Sequence, residues 1–177
     1  MLRNTLLTAL CLLALPTWGL PAQVLLVRHA ERAAEPAGDP PLTAAGRERA
    51  QALIAALAHA GVTAIITTEF KRSAETAAPL AQALGLTPEV IGARGNEAHV
   101  AAVVAAVRRQ TGVVLVVGHS NTVPAIAAAL GGPRLPDFCE SSFSHFWVLR
   151  PQHGASPLLR LRYGAAEAPP VSTADCQ

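Results

Sequence analysis

The sequence predicts an α/β fold, a three-layer sandwich with a mainly parallel sheet and helices on both faces. Two observations carry this. Short apolar runs bounded by turn residues alternate with stretches of helical period along most of the chain, and strands that alternate with helices build parallel sheets covered on both sides. Val113-Val114-Leu115-Val116-Val117 is an unbroken apolar run, mostly β-branched. That is the pattern of a strand buried on both faces, not of one with a wet side.

Each element follows from local chemistry. Gln23 to Val27 reads as the first strand, and a Pro-rich loop covers Glu35 to Pro41. Thr43 can cap the next helix by accepting from a first-turn N–H. Ala50, Leu53, Ile54, Leu57 and Ala58 then recur with helical spacing until Gly61 stops the run. Val62 to Thr67 is the second strand, and Ser73 to Leu84 the second helix, closed by Gly85. A short strand near Thr87 to Ile91 precedes a helix from Glu97 to Arg109, where Arg108-Arg109 suits the negative end of the dipole. After Val113 to Val117 comes a helix from Asn121 to Leu130, with Pro124 tolerated in its first turn. Phe143 to Leu149 and Leu158 to Tyr163 are the closing strands, with Phe146 and Trp147 expected in the core.

Composition bounds the function classes. At 177 residues the chain is expected to form one domain, and 51% hydrophobic with 15% charged residues allows it a core. A net charge of +2 is too small to argue for nucleic-acid binding. Collagen, coiled coil and polytopic membrane protein are excluded. Met1-Leu2-Arg3 followed by the apolar run Leu6 to Leu15, Pro16 and small residues up to Ala22 has the three-part layout of a secretory signal. That run has about half of the ~20 residues a membrane span needs. The expected organisation is a cleaved signal over 1–22, a single domain over 23–164 and a loose Pro- and Ala-rich tail over 165–177. The expected location is periplasmic or secreted, with membrane contact only during export. Cys139 and Cys176 would remain in the mature chain, and in an oxidising compartment they are expected to pair. No Cys-x-x-Cys or His-x-x-x-His spacing occurs, so no metal site is expected. His59, His99, His145 and His153 are scattered and read as surface or satisfied histidines.

Open α/β sheets bind ligands beyond the carboxyl ends of their strands, and three such ends carry unusual residues. They are Arg28-His29-Ala30-Glu31-Arg32, Thr67 through Arg72 to Ala77, and Gly118-His119-Ser120-Asn121-Thr122. Arg28 and Arg72 can each donate parallel hydrogen bonds to phosphate oxygens, which Lys cannot copy. His29 can offer a neutral nitrogen as nucleophile, and nearby cations help keep it unprotonated. His119 can donate to a third oxygen, where charge grows in the transition state. Singly each motif is weak; jointly, on three ends of one sheet, they are not.

Arg28-His29, Arg72 with Glu75-Thr76-Ala77, and Gly118-His119-Ser120-Asn121 resemble the histidine phosphatase superfamily, also called phosphoglycerate-mutase-like. Pro41-Leu42-Thr43-Ala44-Ala45-Gly46 followed by Ala50 is similar to the family's approach to its first helix. The resemblance implies that His29 becomes a phosphohistidine, that Arg28 and Arg72 grip the phosphoryl group, and that His119 completes the pocket. Ser120 is a further candidate phosphate ligand. The implied activity is metal-independent hydrolysis of phosphomonoesters with no cofactor, on a small phosphorylated substrate such as a sugar phosphate, with no nucleic-acid partner. The alternatives are a phosphohistidine protein phosphatase and a non-catalytic phosphoryl-binding module with the same pocket. A mutase is disfavoured because the chain lacks long insertions over the site.

Two positions depart from the family pattern, and one role is left open. Ala30 stands where most members have Gly, and Glu35 stands where many have an Asn ligand. The proton donor is unassigned: Glu97 is the candidate acid by position, with Glu140 and Glu31 behind it.

Overall fold

The computed structural model describes residues 20–151 and 154–167. The elements run β1 (Gln23–Arg28), α1 (Ala44–Leu57), β2 (Val62–Thr67), α2 (Lys71–Leu84), β3 (Glu89–Val90), α3 (Asn96–Arg108), β4 (Val113–Gly118), α4 (Thr122–Ala129), β5 (His145–Leu149) and β6 (Leu158–Arg162). Each expected strand and helix is present. The larger shifts are at β3, which keeps two residues, at β5, which starts at His145 instead of Phe143, and at α2, which starts at Lys71 instead of Ser73.

One six-stranded sheet has the order β3-β2-β4-β1-β5-β6. β3, β2, β4 and β1 pair in parallel, and β5 turns antiparallel to β1 and β6. Successive side chains of a strand face opposite sides, and the central strands use both. Val24, Leu26, Val114 and Val116 pack with Val103 and Val107 of α3, Val123 and Ile126 of α4, and Trp147. Leu25, Val27, Leu115 and Val117 pack with Leu53 and Leu57 of α1, Leu80 of α2, and Phe146. Burying each such Leu or Val stabilises the fold by about 1.5–3 kcal/mol before the entropy of ordering it. The sandwich therefore holds the parallel carboxyl ends of β1, β2 and β4 rigidly side by side.

The caps behave as the chemistry requires. Thr43 Oγ1 accepts from Gly46 N at 3.0 Å, and Gly85 closes α2 with a left-handed φ of 64°. The expected loose tail needs a correction at its start. Ala165 O accepts from Arg49 Nη1, and Glu167 bonds to the Phe143 and Ser144 amides, the Ser144 hydroxyl and Arg162. These first tail residues belong to the domain because their polar groups complete those of α1 and β5. Residues 1–19, His153 and Cys176 lie outside the described residues. Cys139 is disulfide-bonded.

Candidate active site

Strand register builds the site. Arg28 pairs with Gly118 across β1 and β4, so the next residue on each strand, His29 and His119, stands beside the other. Their rings lie 5.3 Å apart, edge to face. Gly118 is needed at this turn, because a Cβ there would meet Thr122 Oγ1 at 2.9 Å and Val123 Cγ2 at 3.0 Å. β2 ends beside them, and Oγ1 of the next residue, Thr68, lies 3.2 Å from His119 Nε2. The first turn of α2 brings in Arg72. A cleft of about 410 Å³ opens on these ends, lined by Arg28, His29, Arg32, Phe70, Arg72, Asn96, His119, Ser120, Asn121 and Glu140 among others.

His29 is buried, and its Nδ1 lies 2.8 Å from the Ala30 carbonyl. A carbonyl can only accept, so Nδ1 carries the proton and Nε2 keeps its lone pair for the cleft. Burial pushes the His29 pKa down to about 3. The Arg28, His119 and Arg72 charges add to that, and the Ala30 bond opposes it. His29 is thus a neutral base at pH 7, held in one tautomer. His119 is lowered to about 4 by burial and then by Arg72, His99 and Arg28.

The guanidiniums are held differently. Arg28 Nη1 donates to the Cys139, Glu140 and Ser142 carbonyls at 2.8, 3.1 and 3.0 Å, and Nη2 donates to Glu140 Oε2 at 2.8 Å. Arg72 lies over the Phe70 ring at 4.1 Å. The Nε atoms of Arg28 and Arg72 are both buried and have no protein partner. A buried donor left unmade costs about 1–3 kcal/mol, so two of them beside one cleft mark a place for an anion.

Five of the residues singled out by sequence meet here: Arg28, His29, Arg72, His119 and Ser120. Glu97 does not. It is exposed in the first turn of α3 and borders a different hollow with Val100, Val104 and Ala125. One position of helical register separates it from Asn96, which does line the cleft. Glu31 pairs instead with Arg49 at 2.8 Å. Among the described residues, Glu140 is the only carboxylate lining the cleft. Glu35 stays outside it and bonds the Ala37 amide. Ala30 is fully buried, its methyl packed with Leu42 and Ala50.

The remaining motif residues support the segment that carries His29. Thr76 Oγ1 accepts from Ala30 N at 2.9 Å, and Glu75 accepts from Leu42 N at 2.7 Å. Gly46 lets α1 lie against the same loop: a Cβ there would sit 2.2 Å from Glu31 O. Sequence reading missed Arg32, Phe70, Asn96 and Asn121 as lining residues, because nothing in their spacing separates them from ordinary loop and cap residues. It also passed over buried Arg49, whose only signal was a cation on the apolar side of an amphipathic helix.

Paired imidazoles and anion-seeking guanidiniums at the carboxyl edge of a parallel sheet define a phosphoryl-handling α/β protein. The model of the histidine phosphatase superfamily (branch 1) matches residues 24–93. The protein histidine phosphatase SixA, solved with tungstate, superposes with a TM-score of 0.61 at 18% identity, covering 79% of this chain and 96% of that one. A structure from Nakamurella multipartitia, named for phosphohistidine phosphatase SixA, gives 0.57 at 25% identity over 81% and 96%. Mycobacterial glucosyl-3-phosphoglycerate phosphatase gives 0.56 at 16% identity over 81% and 99%. No curated protein matches the chain by sequence. Residues 24–93 thus match the histidine phosphatase superfamily, and the fold of the chain is the fold of these phosphatases.

Proposed function

We propose that the protein hydrolyses phosphomonoesters through a phosphohistidine at His29. The carrying observation is the fixed tautomer of His29 in a cleft also lined by Arg28 and Arg72, whose Nε atoms have no protein partner. In this reading Nε2 attacks phosphorus in line and the ester oxygen leaves with the P–O bond pair. Water then attacks the phosphohistidine and releases inorganic phosphate. Arg28 and Arg72 neutralise the equatorial oxygens, and His119 donates to one of them as charge develops. The basic and apolar start of the chain supports export, which would put small phosphomonoesters such as sugar phosphates within reach.

A second reading, dephosphorylation of a protein phosphohistidine, is favoured by one feature. Glu140, the one carboxylate of the cleft among the described residues, is held below its usual range. Its bonds from Ser120 and Arg28 outweigh the opposing effect of burial, which is the largest single influence on it. An ionised carboxylate is a poor acid, and a nitrogen leaving group needs little acid help.

The test is hydrolysis of 4-nitrophenyl phosphate in EDTA by wild type and His29→Ala. Turnover that survives chelation and disappears in the variant supports the histidine route. Turnover retained by the variant, or absent from folded wild type, removes it. A phosphohistidine peptide compared with a sugar phosphate then separates the two substrates.

A further inference from the structure

Arg28 presents two edges, and the protein uses them differently. The Nη1 corner is filled by three main-chain carbonyls of the segment Cys139 to Ser142. The opposite edge, formed by Nε and Nη2, is the one able to take two oxygens of a tetrahedral anion side by side. Its Nε has no partner, but its Nη2 is bound to Glu140 Oε2 at 2.8 Å. The other oxygen of the same carboxylate accepts from Ser120 Oγ at 2.8 Å. Glu140 therefore occupies, with its two oxygens, half of the Arg28 edge and the hydroxyl of a further candidate phosphate ligand. It does so from a side chain that is 64% exposed and free to swing away.

We propose that Glu140 is a specificity-determining residue, a carboxylate of the protein's own that competes with the phosphoryl group for Arg28 and Ser120. A phosphoryl group completes the Arg28 edge only by displacing it. Its negative charge would also stand beside the departing phosphate, so Glu140 keeps product binding weak. The inference rests on reading the cleft as a phosphoryl site.

Glu140 is not needed to shape its own segment. Phe138 is buried, stacks on His145 at 4.1 Å, and bonds through its amide to Ser120 O at 3.0 Å. Ser142 N closes a turn onto Cys139 O at 2.9 Å. Removing the carboxylate leaves these anchors, and the carbonyls on Nη1, in place.

The test is inorganic phosphate binding by titration calorimetry to wild type, Glu140→Ala and Glu140→Gln, each in the His29→Ala background. Competitive inhibition of 4-nitrophenyl phosphate hydrolysis is measured beside it with His29 intact. The expected result is phosphate bound about two- to fivefold more tightly by Glu140→Ala, the scale of one exposed ion pair lost as a competitor. Glu140→Gln should move in the same direction, with KM falling in parallel. Unchanged or weaker phosphate binding in both variants overturns the proposal and makes Glu140 a support for Arg28. So does a collapse of kcat on alkyl phosphates with aryl phosphates spared, which would make it the proton donor. Tighter binding without any turnover would sink the histidine route and leave this inference standing. Phosphate bound by none of the proteins would overturn the pocket itself.

Discussion

Two arginines of this protein are almost equally buried, Arg28 at 2% exposure and Arg49 at 4%, and they do opposite things. Arg49 is saturated. Its Nε and Nη2 hold both oxygens of Glu31, its Nη1 holds the Tyr163 and Ala165 carbonyls, and Glu167 stands 3.8 Å away. Burial works against its charge, but the Glu31 bonds and the Glu31 and Glu167 charges win, and its pKa is raised. Arg28 is lowered, because burial outweighs the pull of exposed Glu140 and its Nε is left idle. A buried cation with every donor used ties the fold together, whereas one with an unused edge on a cleft is kept for a ligand.

Substituting the two arginines should separate these roles most widely. Arg28→Ala is expected to lower kcat/KM on 4-nitrophenyl phosphate about a thousandfold, the scale of removing one preorganised donor to a developing anion. Arg49→Met should instead cost about 3 kcal/mol of stability by leaving Glu31 without its cation and the Tyr163 carbonyl without its donor. In a chain of this size that lowers Tm by roughly 6–12 °C, and the folded fraction keeps its phosphate affinity. Denaturation curves and initial rates on both variants check this. Arg49→Met that loses turnover at unchanged Tm would break the division of roles.

Acid should sharpen the same contrast. His29 has its pKa at about 3 in the folded protein against an ordinary 6.5, and His119 and His145 are lowered to about 4. Between those values the unfolded chain takes up protons that the folded one refuses. Stability therefore falls as pH drops from 6.5 toward 4, by up to about 1.4 kcal/mol per pH unit for each such histidine. His29→Asn keeps a donor for the Ala30 carbonyl but removes one titration, so Tm should fall less steeply with acid than in wild type. Identical slopes would mean that His29 is not held neutral by its surroundings.

Gly46→Ala pits local propensity against packing. In a helix Ala is better than Gly by about 1 kcal/mol, so sequence alone predicts a gain. Here the new Cβ would fall 2.2 Å from Glu31 O, and forcing α1 off the loop after His29 should cost about 2 kcal/mol. A net loss of stability with a severalfold drop in turnover is expected. Unfolding in urea, with rates measured alongside, would expose a gain if packing were the lesser effect.

Much of this was legible because local signals agreed with the global fold. Val113 to Val117 can hardly be anything but a central strand, and Thr43 and Gly85 mark helix ends by mechanism. Arg28, His29, Arg72 and His119 were found because strand ends of a parallel sheet converge, so residues far apart in sequence could be placed together. Glu97 failed because order along a segment does not fix which side of a helix a residue takes. The cleft receives Asn96, and the next residue points elsewhere. Glu140 could not be placed, since a coil between α4 and β5 has no periodicity to say where it folds back. It reaches Arg28 because buried Phe138 and the carbonyls on Arg28 Nη1 fold that coil back over the cleft.

Ala30 gives the smallest effect and a direct check on the family comparison. Its methyl is buried against Leu42 and Ala50, its amide bonds to Thr76, and its carbonyl fixes the His29 tautomer. Ala30→Gly would restore the residue most members carry while keeping both backbone bonds. Losing one buried methyl and adding backbone freedom should cost about 1 kcal/mol. Because the methyl points into this packed cluster, kcat/KM should stay level or decline slightly as the anchor of His29 loosens. A rise of more than about threefold would show that the methyl crowds the phosphoryl site, and the packing explanation for Ala30 would then be wrong. The prediction is narrow because the methyl and the two backbone bonds belong to one residue, so its rate and its stability report on different atoms.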